Sequence, residues 1–273
     1  MQNGIHFISG LPRSGTTLLS ALLNQNPRFS AGVTSGVFQL LTTVQPLLSA
    51  RSEFHTFTND TKRLAIERGL ITNYFDDVHR EKVVFDTNRL WTSKVATIDA
   101  LFPKAKIICC VRSVAWILDS IERLLDKNPL EPSRLFNFDA TTNVYVRSEM
   151  MTSSAPTGFI GGPYAALREA FYGPHSNKLL FVTYEGLTRA PESTMAAIYD
   201  FIGESPITHD FKNVQFSTDT YDQSIGIAGL HRVDRAVEYK PRKTILPPDL
   251  FQRHEASEFW KAPGGNPNKV KVI

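Results

Sequence analysis

The chain has 273 residues, 42% of them hydrophobic and 21% charged, with a formal net charge of +3. That balance excludes a disordered chain and suits a globular protein with a sizeable core. The small positive surplus gives no reason to expect a nucleic-acid partner, and no apolar stretch reaches the roughly 18 residues of a membrane span.

Taken in order, the chain begins almost at once with an apolar run, Gly4–Ser9, without the basic and long apolar regions of a secretory leader. A cytoplasmic location is therefore the expectation. A Gly-rich turn follows, and Thr16–Asn24 (TTLLSALLN) reads as a helix. Residues 30–80 exceed an ordinary connection and are expected to hold extra helices and lid elements. The second apolar run is Lys82–Asp86, followed by a helical pattern, Thr92–Leu101, that stops at Phe102-Pro103. The third run, Lys106–Val111, contains adjacent Cys109 and Cys110. Neighbours on a strand point to opposite faces, so these cysteines read as reduced core residues. No His/Cys cluster has metal-ligand spacing.

Val114–Leu125 carries Trp116, Ile117, Ile121 and Leu124 at helical spacing, and 126–176 forms a second long, irregular segment. The fourth run is Lys178–Tyr184, with a helix over Ala190–Ile202. From about Ser205 the chain is rich in turns and charge. Pro247-Pro248 and Gly264-Gly265-Asn266-Pro267 read as irregular surface chain, and 205–245 as a third lid segment. Continuous apolar runs alternating with helices predict an α/β protein, a three-layer α/β/α arrangement around a central parallel sheet. All of 1–273 is expected to be one domain.

The richest chemical signal is Ser9-Gly10-Leu11-Pro12-Arg13-Ser14-Gly15-Thr16-Thr17, between a strand and a helix. Glycines let successive N–H groups turn inward, the helix N-terminus adds partial positive charge, and Arg13 adds a fixed one. The Gly10-to-Gly15 spacing equals that of a nucleoside-triphosphate loop, but Thr16 stands where that loop places Lys. A γ-phosphate with magnesium is poorly served; a 5′-phosphate bearing one more anionic group is served well. The bland alternative is a capped βα turn. Arg112, at the end of the third strand, and Ser120, about two turns into the next helix, suit a second anion, the alternative being a sheet-edge cap and a solvated serine. Tyr184, at the end of the fourth strand, can stack on a base or simply fill the rim.

These blocks resemble those of the sulfotransferases that use 3′-phosphoadenosine 5′-phosphosulfate (PAPS), closest to the bacterial and tyrosylprotein type. Pro12-Arg13-Ser14-Gly15-Thr16-Thr17 is similar to their 5′-phosphosulfate loop, Arg112 with Ser120 to their 3′-phosphate motif, and Tyr184-Glu185-Gly186-Leu187 with Pro191-Glu192 to a further segment. The resemblance implies a P-loop, nucleotide-kinase-like fold, PAPS as donor, no required metal, and a hydroxyl acceptor that is a small molecule, carbohydrate or peptide. Arg13, Ser14, Gly15, Thr16 and Thr17 would hold the 5′-phosphosulfate, Arg112 and Ser120 the 3′-phosphate, and Tyr184 the nucleoside end. Gly229–Arg235 matches the family's closing segment loosely.

The family's base does not carry over. Gly32-Val33-Thr34-Ser35 lacks the glutamate of the tyrosylprotein type, and Asp86-Thr87-Asn88-Arg89 lacks the histidine of the cytosolic type. Asp86 is the first candidate base, unless it is a structural carboxylate paired with Arg89 or Arg13. His231 is the second, unless it is a surface histidine. Arg13 would neutralise the leaving phosphate, and Asn88 and Arg89 are the alternative candidates to polarise the sulfonate. Two rival readings remain: a P-loop small-molecule kinase, and a non-catalytic nucleotide-binding module. Acceptor identity and oligomeric state are not legible in the residues.

Overall fold

The four apolar runs are the four central strands of one parallel sheet, each buried along its whole length. The computed structural model describes residues 4–49, 52–127, 129–130, 132–154, 158–216, 219–224, 229–233 and 235–273. In chain order the elements are β1 (Ile5–Gly10), α1 (Thr16–Leu23), β2 (Phe29–Ala31), α2 (Val37–Leu47), α3 (Asp60–Tyr74), α4 (Asp76–His79), β3 (Val83–Thr87), α5 (Val95–Leu101) and β4 (Ile107–Val111). Then come α6 (Val114–Asp126), α7 (Val144–Thr152), α8 (Gly161–Tyr172), β5 (Leu179–Thr183), α9 (Tyr184–Arg189), α10 (Pro191–Ile202), α11 (Asp219–Ser224), α12 (Pro248–Glu255) and β6 (Lys271–Val272).

The strand order is β2-β3-β1-β4-β5-β6, and every neighbouring pair is parallel. Parallel strands need crossovers, and the helices that make them cover both faces, which is why the strands read as unbroken apolar runs. Alternation along the strands sorts their side chains into two cores. Phe7, Ile107, Cys109 and Phe181 pack with Trp91 and Ile117 on one face. Ile8, Phe85, Cys110 and Val182 pack with Leu19 and Tyr199 on the other. Cys109 and Cys110 are free and buried on opposite faces. Burial pushes the Cys110 thiol up to about 12.

The tail departs from its expected irregular surface character. Leu246, Leu250, Phe259, Trp260 and Val270 are buried, and Lys271–Val272 adds a sixth strand beside β5. The long segments 30–80 and 126–176 do contain helices, α2 to α4 and α7 to α8. No helix among the described residues is long and apolar enough to cross a membrane.

β1 sits between β3 and β4, so the chain winds to one side through β2 and β3 and then crosses to the other. Ligands of open parallel sheets bind where the winding reverses, at the carboxyl ends of the strands. The loop after β1 and Arg112 after β4 meet at that place.

β1 also carries a titratable core residue. His6 stacks on Phe85 and accepts a hydrogen bond from the Lys106 N–H at Nδ1 (3.1 Å). Burial, with Lys106 nearby, lowers its pKa from 6.5 to about 4. The unfolded chain therefore binds a proton between those values that the folded chain refuses. Stability from this residue is complete above about pH 6.5 and is lost as pH falls towards 4, by about 3 kcal/mol in all. Urea unfolding of wild type and His6→Gln across pH 4–7 should show that slope flattened in the variant; equal slopes would disprove it.

Candidate functional site

The loop after β1 is shaped by three residues with positive φ: Gly10 (+147°), Arg13 (+56°) and Gly15 (+97°). Gly10 is needed for space as well as conformation, because a Cβ there would stand 2.2 Å from the Cys110 carbonyl oxygen. That absence of a side chain lets the loop lie directly on β4. Ser14 then fastens it. Its buried hydroxyl has the carbonyls of Leu11 (2.5 Å) and Cys110 (2.9 Å) as acceptors. The side chain of Ser14 thus turns into the protein, and what the residue offers a ligand is its backbone. Helix α1 starts at Gly15 without a side-chain cap, leaving N–H groups for an incoming anion.

Arg13 points across the crevice. Its Nε donates to Ser120 Oγ at 3.1 Å, and its guanidinium also donates to the Leu230 carbonyl. Arg112 donates to the Arg13 carbonyl at 3.2 Å and lies 3.9 Å above the Tyr184 ring. Its Nε is buried and has no hydrogen-bond partner among the described residues. Burial is the main force lowering the pKa of both guanidiniums; mutual repulsion adds to it for Arg13, and the Tyr184 phenol opposes it for both. Two arginines brought together in a desolvated crevice, one with an unmet donor, are a combination that an anion would stabilise. Arg13, Gly15, Thr16, Thr17, Arg112, Ser120 and Tyr184 line one cleft of about 1280 Å³. The Tyr184 ring is occupied by a guanidinium on at least one face, a role the sequence alone does not suggest.

A third cation was not anticipated. Arg242 lines the same cleft and adds its charge to the field at Arg13 and Arg112. It is held by Asp119 at 2.6 Å, the fully buried carboxylate of α6. Asp119 also accepts from Arg123 Nε (3.0 Å), Thr244 Oγ1 (3.1 Å) and the Ile245 N–H (2.9 Å). One carboxylate thereby ties residues 242–245 over α6, and Arg123, which follows Ser120 by one turn, serves that tie.

The two candidate bases end in different places. Asp86 is 2% exposed and does not line the cleft. Its Oδ2 accepts from Trp91 Nε1 at 2.7 Å, and Ser35 bonds it as well. Strand alternation puts it behind the crevice wall, where burial raises its pKa. In place of the alternative pairing with Arg89 or Arg13, Asp86 has these neutral partners. His231 lines the cleft. Its Nδ1 lies 2.6 Å from Asp222 Oδ1, and its backbone N–H donates to Asp222 Oδ2 at 3.0 Å. Because a carboxylate only accepts, Nδ1 carries the proton and Nε2 is left as the acceptor. Asp222 is itself 2% exposed, so the imidazole is oriented by a fixed, buried charge.

A family model described as the sulfotransferase family matches residues 6–208. The chain belongs to the sulfotransferase family. No curated protein matches the sequence. Among solved structures, the sulfotransferase domain from the curacin biosynthetic pathway is similar over 96% of this chain and 99% of its own, at 15% identity and a TM-score of 0.60. A sulfotransferase from Alicyclobacillus acidocaldarius is similar over 82% of this chain and 90% of its own, at 14% identity and a TM-score of 0.52. At such identities these likenesses concern the fold, including the P-loop-like placement of the first turn.

Within this sulfotransferase, sequence reasoning passed over Asp222, Asp119 and Arg242. Asp222 lies on a six-residue helix, and no spacing connects it to His231. Arg242 stands in Lys240-Pro241-Arg242-Lys243, a basic cluster that was the available signal.

Proposed function

We propose that the chain transfers the sulfuryl group of PAPS to a hydroxyl acceptor and releases 3′-phosphoadenosine 5′-phosphate. The observation that carries this reading is the pair of adjoining anion sites: the loop over 10–17, and Arg112 with Ser120, bridged by Arg13. A donor with a 5′-phosphosulfate and a separate 3′-phosphate requires two such sites. The residues present fit it: Arg112 Nε is an unmet buried donor, and α1 has free N–H groups at its start.

In this reading Gly15, Thr16 and Thr17, with the backbone of Ser14, hold the phosphosulfate. Arg112 and Ser120, reinforced by Arg242, hold the 3′-phosphate, and Tyr184 borders the nucleoside. His231 Nε2 accepts the proton of the acceptor hydroxyl while Asp222 stabilises the resulting imidazolium. The acceptor oxygen bonds to sulfur, the bond between sulfur and the bridging oxygen breaks, and the electron pair leaves on the nucleotide 5′-phosphate. Arg13 and the α1 N-terminus stabilise that charge, and holding donor and acceptor in line supplies much of the remaining acceleration.

Calorimetric titration tests the donor. The expected result is micromolar or tighter binding of 3′-phosphoadenosine 5′-phosphate without magnesium, and weak binding of ATP with it. Preference for ATP with magnesium would support a kinase, as would a loop lysine, which this sequence lacks.

A further inference from the structure

We propose that Arg89 is the docking point for an anionic group on the acceptor, which makes the preferred acceptor an alcohol or phenol with a carboxylate or phosphate on an apolar body. This rests on the sulfuryl-transfer reading and extends it to the substrate class.

Arg89 lies two residues beyond β3 and lines the cleft. Its guanidinium rests 4.1 Å from the Phe159 ring centroid, and one nitrogen donates to the Phe159 carbonyl at 3.3 Å. No carboxylate pairs with it among the described residues. The contrast with other arginines of the fold is sharp: Arg123 and Arg242 share Asp119, and Arg147 takes Glu122. A guanidinium has five N–H donors, so most of its fork stays open, held flat by the aromatic ring beneath. The side chain is reached by solvent from the cleft, yet dense surroundings lower its pKa, opposed by the Tyr221 phenol. An open cation at the cleft wall favours a ligand anion, and a planar fork favours one that accepts two bonds at once.

Its side-chain contacts are separate from those of the donor cradle. Arg89 bonds Phe159, on the segment between α7 and α8, whereas Arg13 reaches Ser120 and Leu230 and Arg112 reaches the Arg13 carbonyl. The electrostatic neighbour of Arg89 is Tyr221, whose ring lies 5.3 Å from that of His231. The Arg89 backbone carbonyl meets Ser9 at the foot of the loop (3.0 Å), while its side chain turns to Phe159. Leu90 and Phe159 flank it and Phe38 continues the apolar wall. At about 1280 Å³ the cleft exceeds the roughly 300–1,000 Å³ of a single-ligand site, leaving room for a second molecule beside the donor.

The test uses octanoate, octyl phosphate and octanamide as probes, titrated into the full chain with and without saturating 3′-phosphoadenosine 5′-phosphate. Either anion should bind at least about tenfold tighter than the amide. Arg89→Gln should erase that preference, and Arg89→Lys should restore part of it. Nucleotide affinity should be the same in Arg89→Gln as in wild type. Equal binding of anions and amide, survival of the preference in Arg89→Gln, or a tenfold loss of nucleotide affinity in that variant would each overturn the proposal. Failure of the nucleotide to bind at all would instead overturn the donor reading, while the anion-against-amide difference is still read in the free protein.

Discussion

Arg112→Ala will weaken binding of 3′-phosphoadenosine 5′-phosphate by roughly 30- to 1,000-fold. Two losses add up. The variant removes charge-assisted bonds to a terminal phosphate, worth about 1.5–3 kcal/mol each, from a site screened from water. It also removes the bond from Arg112 to the Arg13 carbonyl, which braces a non-glycine residue at φ +56°. Arg112→Lys should recover only part of the affinity, since an ammonium lacks the fork and its stacking on Tyr184. Calorimetry on the folded variants, with melting curves alongside, gives the answer. Unchanged affinity in Arg112→Ala would remove the second anion site and with it the case for a 3′-phosphorylated donor.

His231→Ala will cut kcat by about 10²- to 10⁴-fold while nucleotide affinity stays within about threefold of wild type. Asp222→Asn should cost up to about 10⁴-fold in kcat by releasing the ring and its tautomer, again with the nucleotide bound normally. The split between kcat and binding matters, because collapse of the segment around residue 231 would damage both. Asp86→Asn provides the opposing case: a buried carboxyl bonded to Trp91 should matter to the melting temperature and little to turnover in the fraction that remains folded. Full activity in His231→Ala, with activity lost in folded Asp86→Asn, would move the base to β3.

How much of this was legible beforehand follows from the length scale of each signal. β1, β3, β4 and β5 are five- or six-residue strands buried on both faces, so continuous apolar runs announce them. β2 and β6 have three and two residues and leave no periodicity to read. Gly10, Arg13 and Gly15 were legible because backbone sterics confine such turns to few sequences. The direction of the Ser14 hydroxyl was not, since either the crevice or the Cys110 carbonyl would accept it. The burial of Asp86 was not legible for a related reason: a strand end has two faces, and the chain on either side does not say which one meets the cleft. Asp222 and His231 are joined through a turn whose shape is a tertiary matter, so their pairing had to be seen.

The bond from Arg13 to the Leu230 carbonyl has a genetic consequence. It fastens the first turn of the protein to the residue preceding His231, more than two hundred positions away in the chain. Because the acceptor is a backbone carbonyl, it is loss of the Arg13 side chain that frees the turn beside His231, so effects of substitutions at 13 and 231 on turnover should not sum as they do for distant, unconnected sites. Positions 13 and 231 are therefore expected to vary together, a change at one altering what is tolerated at the other.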